Sequence, residues 1–214
     1  MTKLKNFIFD IDGTLINTCN MYMPALFVTL KKNGYYFSAS QIKELKKRIY
    51  GLAATNALEY LGVPHSEVKI INREWLRAAY QNFNEVKIFN GIPDVLRKMA
   101  ADPDNHLAIV TSKTEREYQQ YFQDKYDFAS VYSVVVTADK TNRHKPDSEP
   151  IVYAMKEMKA NPRETIYIGD MQTDLLAAHR AGIKFAGALY GSINPEALKK
   201  ADYLLRSPRD LLKI

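Results

Sequence analysis

Short runs of β-branched and aromatic residues alternate along the chain with stretches of helical periodicity, the pattern of βαβ units built on a parallel sheet. The runs are Phe7 to Ile11, Leu107 to Thr111, Val131 to Val136, Thr165 to Ile168 and Ile183 to Leu189. Strands covered on both faces read as continuous apolar stretches, and Leu107 to Val110 and Ile166 to Ile168 do so, which places them at the centre of the sheet. The helices between them announce their ends. Ser112 and Glu115 have capping-box spacing before a helix ending near Tyr121. Gly182, following Leu175, Leu176 and Ala178, reads as the glycine that ends a helix starting near Thr173.

From about Ile16 to Asn84 the pattern changes to amphipathic helix without a convincing strand. Met23 to Lys32 runs into Gly34. Ser38 to Tyr50 opens on a Ser38/Gln41 capping box and stops at Gly51, Thr55 to Leu61 stops at Gly62, and a helix begins at Ser66 and runs through Trp75 to Phe83. The basic run Lys43, Lys46, Lys47 and Arg48 reads as an exposed helix face, and Trp75 as packing inside the segment. The chain must return to nearly the same place for the α/β pattern to resume at Ile88. The expected fold is therefore α/β, a Rossmann-like parallel-sheet core formed by residues 1–15 and 85–214, with an all-helical cap domain, residues 16–84, inserted after the first strand.

Composition narrows the class. Of 214 residues, 46% are hydrophobic and 25% charged, the balance of a globular chain, so disorder, collagen and coiled coil drop out. Thirty basic against 24 acidic residues give a net charge of +6, which suits anionic ligands in general. Basic and aromatic residues are not interleaved and no recognition motif is present, so nucleic acid is not an expected partner. A single cysteine, Cys19, and the lack of any Cys/His cluster argue against a disulfide or zinc and for a reducing cytoplasm. The N-terminus lacks the pattern of a signal peptide, and no apolar window reaches the roughly 18 residues of a membrane span, so a soluble protein without a membrane partner is expected. The sequence leaves the oligomeric state open.

In an open parallel sheet, ligands bind beyond the carboxyl ends of the strands, so the residues directly after each strand matter most. Those positions hold Asp10-Ile11-Asp12-Gly13-Thr14, Thr111-Ser112-Lys113, and Gly169-Asp170 with Asp174 one helical turn on; Lys145-Pro146 opens the helix before the fourth strand. Carboxylates gathered on one edge repel each other unless a cation lies among them, and a donor set of oxygens alone suits a hard ion such as Mg²⁺. With such an ion, Asp10 is placed to attack phosphorus and form an aspartyl-phosphate, while Asp12 exchanges protons with the leaving oxygen and the hydrolytic water. Lys145, the Thr111 hydroxyl and the backbone N–H groups at Ser112 would meet the charge on the phosphoryl oxygens. Lys113 reads as a solvated helix residue, with contact to substrate as the alternative.

The set DIDGTL at 10–15, IVTSK at 109–113, HKPDSEP at 144–150 and GDMQTD at 169–174 resembles the haloacid dehalogenase-like hydrolase superfamily in both order and spacing. The resemblance implies that Asp10 is the nucleophile, Asp12 the acid/base, Thr111 the phosphate-binding hydroxyl and Lys145 the charge partner of both. It further implies Mg²⁺ held by the carboxylates of Asp10 and Asp170 and the backbone carbonyl of Asp12, with Asp174 supporting from behind. The segment after the first motif resembles the family's helical cap, where Arg48 and the turn at Gly51 are candidates for facing substrate, and the stretch from Thr111 to Lys145 is too short for a second cap. Asp12 favours phosphate esters over halides or phosphonates. Tyr22 stands where the sugar-phosphate mutases of the family carry a histidine, and Asn17 replaces the aspartate many of its phosphatases have. The pattern is most similar to phosphoglycolate phosphatases and their pyrophosphatase relatives, and implies a phosphatase acting on a small phosphorylated metabolite. A phosphoryl mutase and a non-catalytic phosphometabolite-binding protein are the alternatives.

Overall fold

A computed structural model describes residues 3–50, 52 and 54–214. The chain divides into two compact units, residues 1–16 with 88–214, and residues 17–87. The sequence reading set the insert at 16–84. A 3-10 turn at Phe83–Glu85 carries the second unit three residues further.

The first unit is built on a six-stranded sheet: β1 (Asn6–Phe9), β4 (His106–Val110), β5 (Val134–Val136), β6 (Thr165–Gly169), β7 (Lys184–Ala188) and β8 (Tyr203–Leu205), in the spatial order β5-β4-β1-β6-β7-β8. Every pairing is parallel. All residues of β1 and β6 and four of the five in β4 are buried, as central strands should be. Ile8, Ala108, Val110, Tyr167 and Phe185 pack in one cluster with Ile151, Ala154 and Met155 of helix α7 (Glu149–Met158) and Leu175, Ala177 and Ala178 of helix α8 (Gln172–Arg180). Helix α5 (Ile92–Ala100) buries Ile92, Val95, Leu96 and Met99.

Several expected bounds shift. The run expected from Phe7 to Ile11 ends at Phe9, because the Ile11 carbonyl accepts from the amides of Leu15 and Ile16 and so closes a turn. Val131 belongs to a 3-10 turn, Asp127–Val131, and the strand begins only at Val134. Helix α6 (Glu115–Tyr118) is capped by Thr114 and Glu117 rather than Ser112 and Glu115, and continues as a π turn through Gln123. Short strands β2 (Ile16–Asn17) and β3 (Lys87–Ile88), which no periodicity marks, pair as a separate two-stranded ribbon.

The second unit contains helices α1 (Cys19–Lys32), α2 (Ala39–Ile49), α3 (Ala54–Tyr60) and α4 (His65–Gln81). The Ser38/Gln41 capping box forms, and Gly34 and Gly62 adopt positive φ where α1 and α3 end. Gly51 lies outside the described residues. Met21, Leu26, Leu30, Leu58, Ile71 and Trp75 make the unit's own core, and the Trp75 indole donates to the Tyr22 carbonyl at 2.8 Å. Lys43, Lys47 and Arg48 are exposed, and Arg48 donates to the Tyr60 hydroxyl.

Candidate active site

Strands β4, β1 and β6 lie side by side, and their parallel register aligns Phe9 with Ile109 on one flank and Ile168 on the other. Asp10, Thr111 and Asp170 therefore leave the sheet at neighbouring carboxyl ends. One carboxylate oxygen from each of Asp10, Asp170 and Asp174 lies within 4.8 Å of the others, and all three residues are buried.

Lys145 binds this cluster. Its Nζ donates to Asp10 Oδ1 at 2.9 Å, to Asp174 Oδ1 at 2.7 Å and to the Tyr167 hydroxyl at 2.9 Å, which uses all three of its protons. Tyr167, fully buried in β6, passes its own proton to the Val110 carbonyl at 3.0 Å. The ammonium that balances Asp10 is thus tied to the strand end from which Thr111 leaves. Asp174 Oδ2 accepts from the Met171 amide at 3.1 Å, so both of its oxygens are occupied. Asp170 is different: Thr14 Oγ1 donates to its Oδ1 at 3.3 Å, while its buried Oδ2 has no partner.

Glycines make these approaches possible. Gly13 has φ 79°, a conformation L-residues rarely adopt, and a Cβ there would run into the Asp170 carboxylate. A side chain on Gly169 would strike Asp174, and one on Gly191 would strike the Gly13 carbonyl.

Three carboxylates and one ammonium in a buried site leave excess negative charge. Burial pushes the Asp10 carboxyl up to about 7, against the pull of Lys145 and with help from the charges of Asp174 and Asp12. Asp170 is driven well above the usual carboxylate range, by burial first and by Asp174 and Asp10 second. Burial opposes the charge on Lys145, but Asp10 and Asp174 outweigh it and hold the ammonium protonated. An unpartnered buried carboxylate oxygen beside a second crowded carboxylate is what a hard divalent cation satisfies, so the donor set fits Mg²⁺.

Not every expected residue joins the cluster. The Asp12 carboxylate turns instead to Lys113, whose Nζ stands 2.9 Å from Oδ1 and 2.8 Å from Oδ2. The sequence reading of Lys113 as a solvated helix residue is overturned: it is buried and lies outside the helix. It lies three residues past the end of β4 and two ahead of α6, and its amide donates to Thr111 Oγ1 at 3.2 Å. Thr111, Ser112 and Lys145 line one small crevice with Thr137 and His144. Ser112 is exposed and is not the cap of α6. Sequence reasoning gave Tyr167 no role, and named Lys113 only as a lesser candidate for touching substrate, not as the partner of Asp12. The lysine's place at a strand's carboxyl end is the signal that was available, whereas a tyrosine inside an apolar run gives none.

Comparison with known proteins gives concordant results. A family model described as haloacid dehalogenase-like hydrolase matches residues 7–188. An N-acetylmuramic acid 6-phosphate phosphatase from Pseudomonas aeruginosa is 28% identical, the match covering 99% of this chain and 95% of that protein. Pyrophosphatase PpaX from Anoxybacillus flavithermus is likewise 28% identical, over 99% of this chain and 97% of the relative. The crystal structure of a Lactobacillus plantarum protein provisionally assigned as a phosphoglycolate phosphatase superposes with a TM-score of 0.90 at 26% identity, covering 99% of both chains.

Proposed function

Because the chain belongs to the haloacid dehalogenase-like hydrolase family, we propose that it is a magnesium-dependent phosphatase that hydrolyses a small phosphorylated metabolite through an aspartyl-phosphate. The observation that carries this reading is the convergence of Asp10, Asp170 and Asp174 around Lys145, with one Asp170 oxygen buried and unpartnered. The activities named for the relatives from Pseudomonas aeruginosa and Anoxybacillus flavithermus agree with it.

The roles follow from chemistry. Asp10 attacks phosphorus with a carboxylate oxygen, the bond to the leaving oxygen breaks, and Asp12 gives that oxygen its proton. Asp12 then takes a proton from water, whose oxygen attacks the same phosphorus and frees Asp10. Lys145 holds the Asp10 carboxylate in one orientation and faces the phosphoryl oxygens, with Thr111 as a further donor. Asp10 and Asp170 would hold Mg²⁺ together with the Asp12 backbone carbonyl, and the ion would neutralise charge on the transferring group. Asp174, with both oxygens engaged, keeps Lys145 in place. The helical unit, residues 17–87, takes the role of cap and selects the substrate.

The test is phosphate release from a panel of phosphoglycolate, pyrophosphate, sugar phosphates and nucleotides. Release is expected to stop on addition of a chelator and to return with excess magnesium; turnover undiminished by the chelator overturns the metal reading.

Metal and proton compete for the same carboxylates. The folded value for Asp10, about 7, lies above the ordinary 3.8, so the metal-free folded state binds a proton that the unfolded chain releases. Its stabilising contribution is complete below about pH 4 and is lost as pH rises to 7; Asp170 acts in the same direction. At pH 8, magnesium at ~100 times its Kd supplies ~2.7 kcal/mol, a rise in Tm of about 5–10 °C for a chain of this size. At pH 5 the rise should nearly vanish, and equal shifts at the two pH values in a thermal-melt series would contradict the assignment.

A further inference from the structure

We propose that Lys113 is a specificity-determining residue that selects phosphate compounds whose leaving group is itself an anion. The proposal rests on the reading above, in which Asp12 serves the leaving oxygen.

Lys113 is not an ordinary surface lysine. Its side chain is 3% exposed, and its ammonium bridges both oxygens of Asp12. The backbone is pinned on either side of it: the amide donates to Thr111 Oγ1 at 3.2 Å, and the carbonyl accepts from the Ala138 amide at 2.8 Å. A buried ammonium is costly unless paired, which ties its position to that of Asp12. Asp12 itself is 24% exposed, so the pair reaches solvent through the carboxylate.

A group that exchanges a proton with the leaving oxygen must come within about 3 Å of it. With Lys113 less than 3 Å beyond Asp12, its ammonium then stands about 6 Å or less from the departing group. In a partly desolvated site that distance lets a fixed charge act on the transition state. A leaving group bearing a carboxylate or phosphate is drawn to it, while a neutral alcohol gains nothing. Lys145 stands elsewhere, its ammonium bound to Asp10, Asp174 and Tyr167 rather than to Asp12. The two buried lysines divide the work, Lys145 at the transferring phosphoryl group and Lys113 at the departing one.

The experiment compares phosphoglycolate with 2-hydroxyethyl phosphate, alkyl esters of similar size that release an anion and a neutral diol respectively; p-nitrophenyl phosphate is the general substrate. For the full chain with magnesium, kcat/KM should favour phosphoglycolate by about tenfold or more, equivalent to ~1.4 kcal/mol of transition-state binding. Lys113→Met should lower both values but phosphoglycolate the more, bringing the ratio near one, and Lys113→Arg should restore most of the preference. Lys113→Gln replaces the methionine variant if that chain does not fold, and is read in the same way. A wild-type ratio near one, or a preference that persists in folded Lys113→Met, overturns the assignment of Lys113 and leaves the phosphatase reading standing. No phosphate from any of the three compounds overturns both.

Discussion

Asp10→Asn is expected to lower phosphate release by at least ~10⁴-fold while leaving the protein folded, the scale on which loss of a covalent nucleophile reduces turnover. The amide keeps the shape of the carboxylate and can still accept from Lys145, so packing has no reason to change. It also removes one negative charge from a crowded site, and the metal-free variant should therefore melt at or above the wild-type temperature near neutral pH. Circular dichroism and a phosphate-release assay on the same sample check both parts. Residual activity within tenfold of wild type would remove Asp10 from the nucleophile's role.

Lys145→Met has the largest expected effect on stability. The lysine side chain is 6% exposed, and its loss leaves Asp10 and Asp174 buried without their counter-charge. Breaking one side of a buried pair costs about 3–5 kcal/mol, measurable as a lower urea midpoint. The loss should shrink as pH falls toward 5, where a proton on Asp10 replaces the ammonium, and a midpoint difference independent of pH would argue against a charge-based cause. Activity should fall with it, because the orientation of Asp10 depends on the same contact.

The helices of residues 17–87 and the central strands were legible because each obeys a local rule. Ser38 and Gln41 close a capping box, Gly34 and Gly62 end helices, and β6 carries an unbroken Ile-Tyr-Ile run and is buried throughout. Asp10 and Asp170 were legible because a carboxylate at the end of an apolar run is unusual and parallel topology puts such ends together. What escaped depends on partners distant in sequence. β8 is three residues long with Leu204 exposed, an edge strand recognisable only once β7 is beside it. Lys113 sits in a stretch with helix-capping residues, and only the 101 positions back to Asp12 explain why it is buried. Tyr167 looks like any core aromatic until its hydroxyl is seen between Lys145 and Val110.

The close seating of Gly191 on Gly13 bears on when the enzyme can first act during its own synthesis. By Asp174 the ribosome has already produced all four signature motifs, yet the loop that presses on the first of them is still to come. A nascent chain ending there has every reactive group and lacks the backstop behind the turn between Asp10 and Thr14. A chain ended at Asp174 is therefore expected to release no phosphate although it carries all four motifs, competence arriving only with the segment after β7.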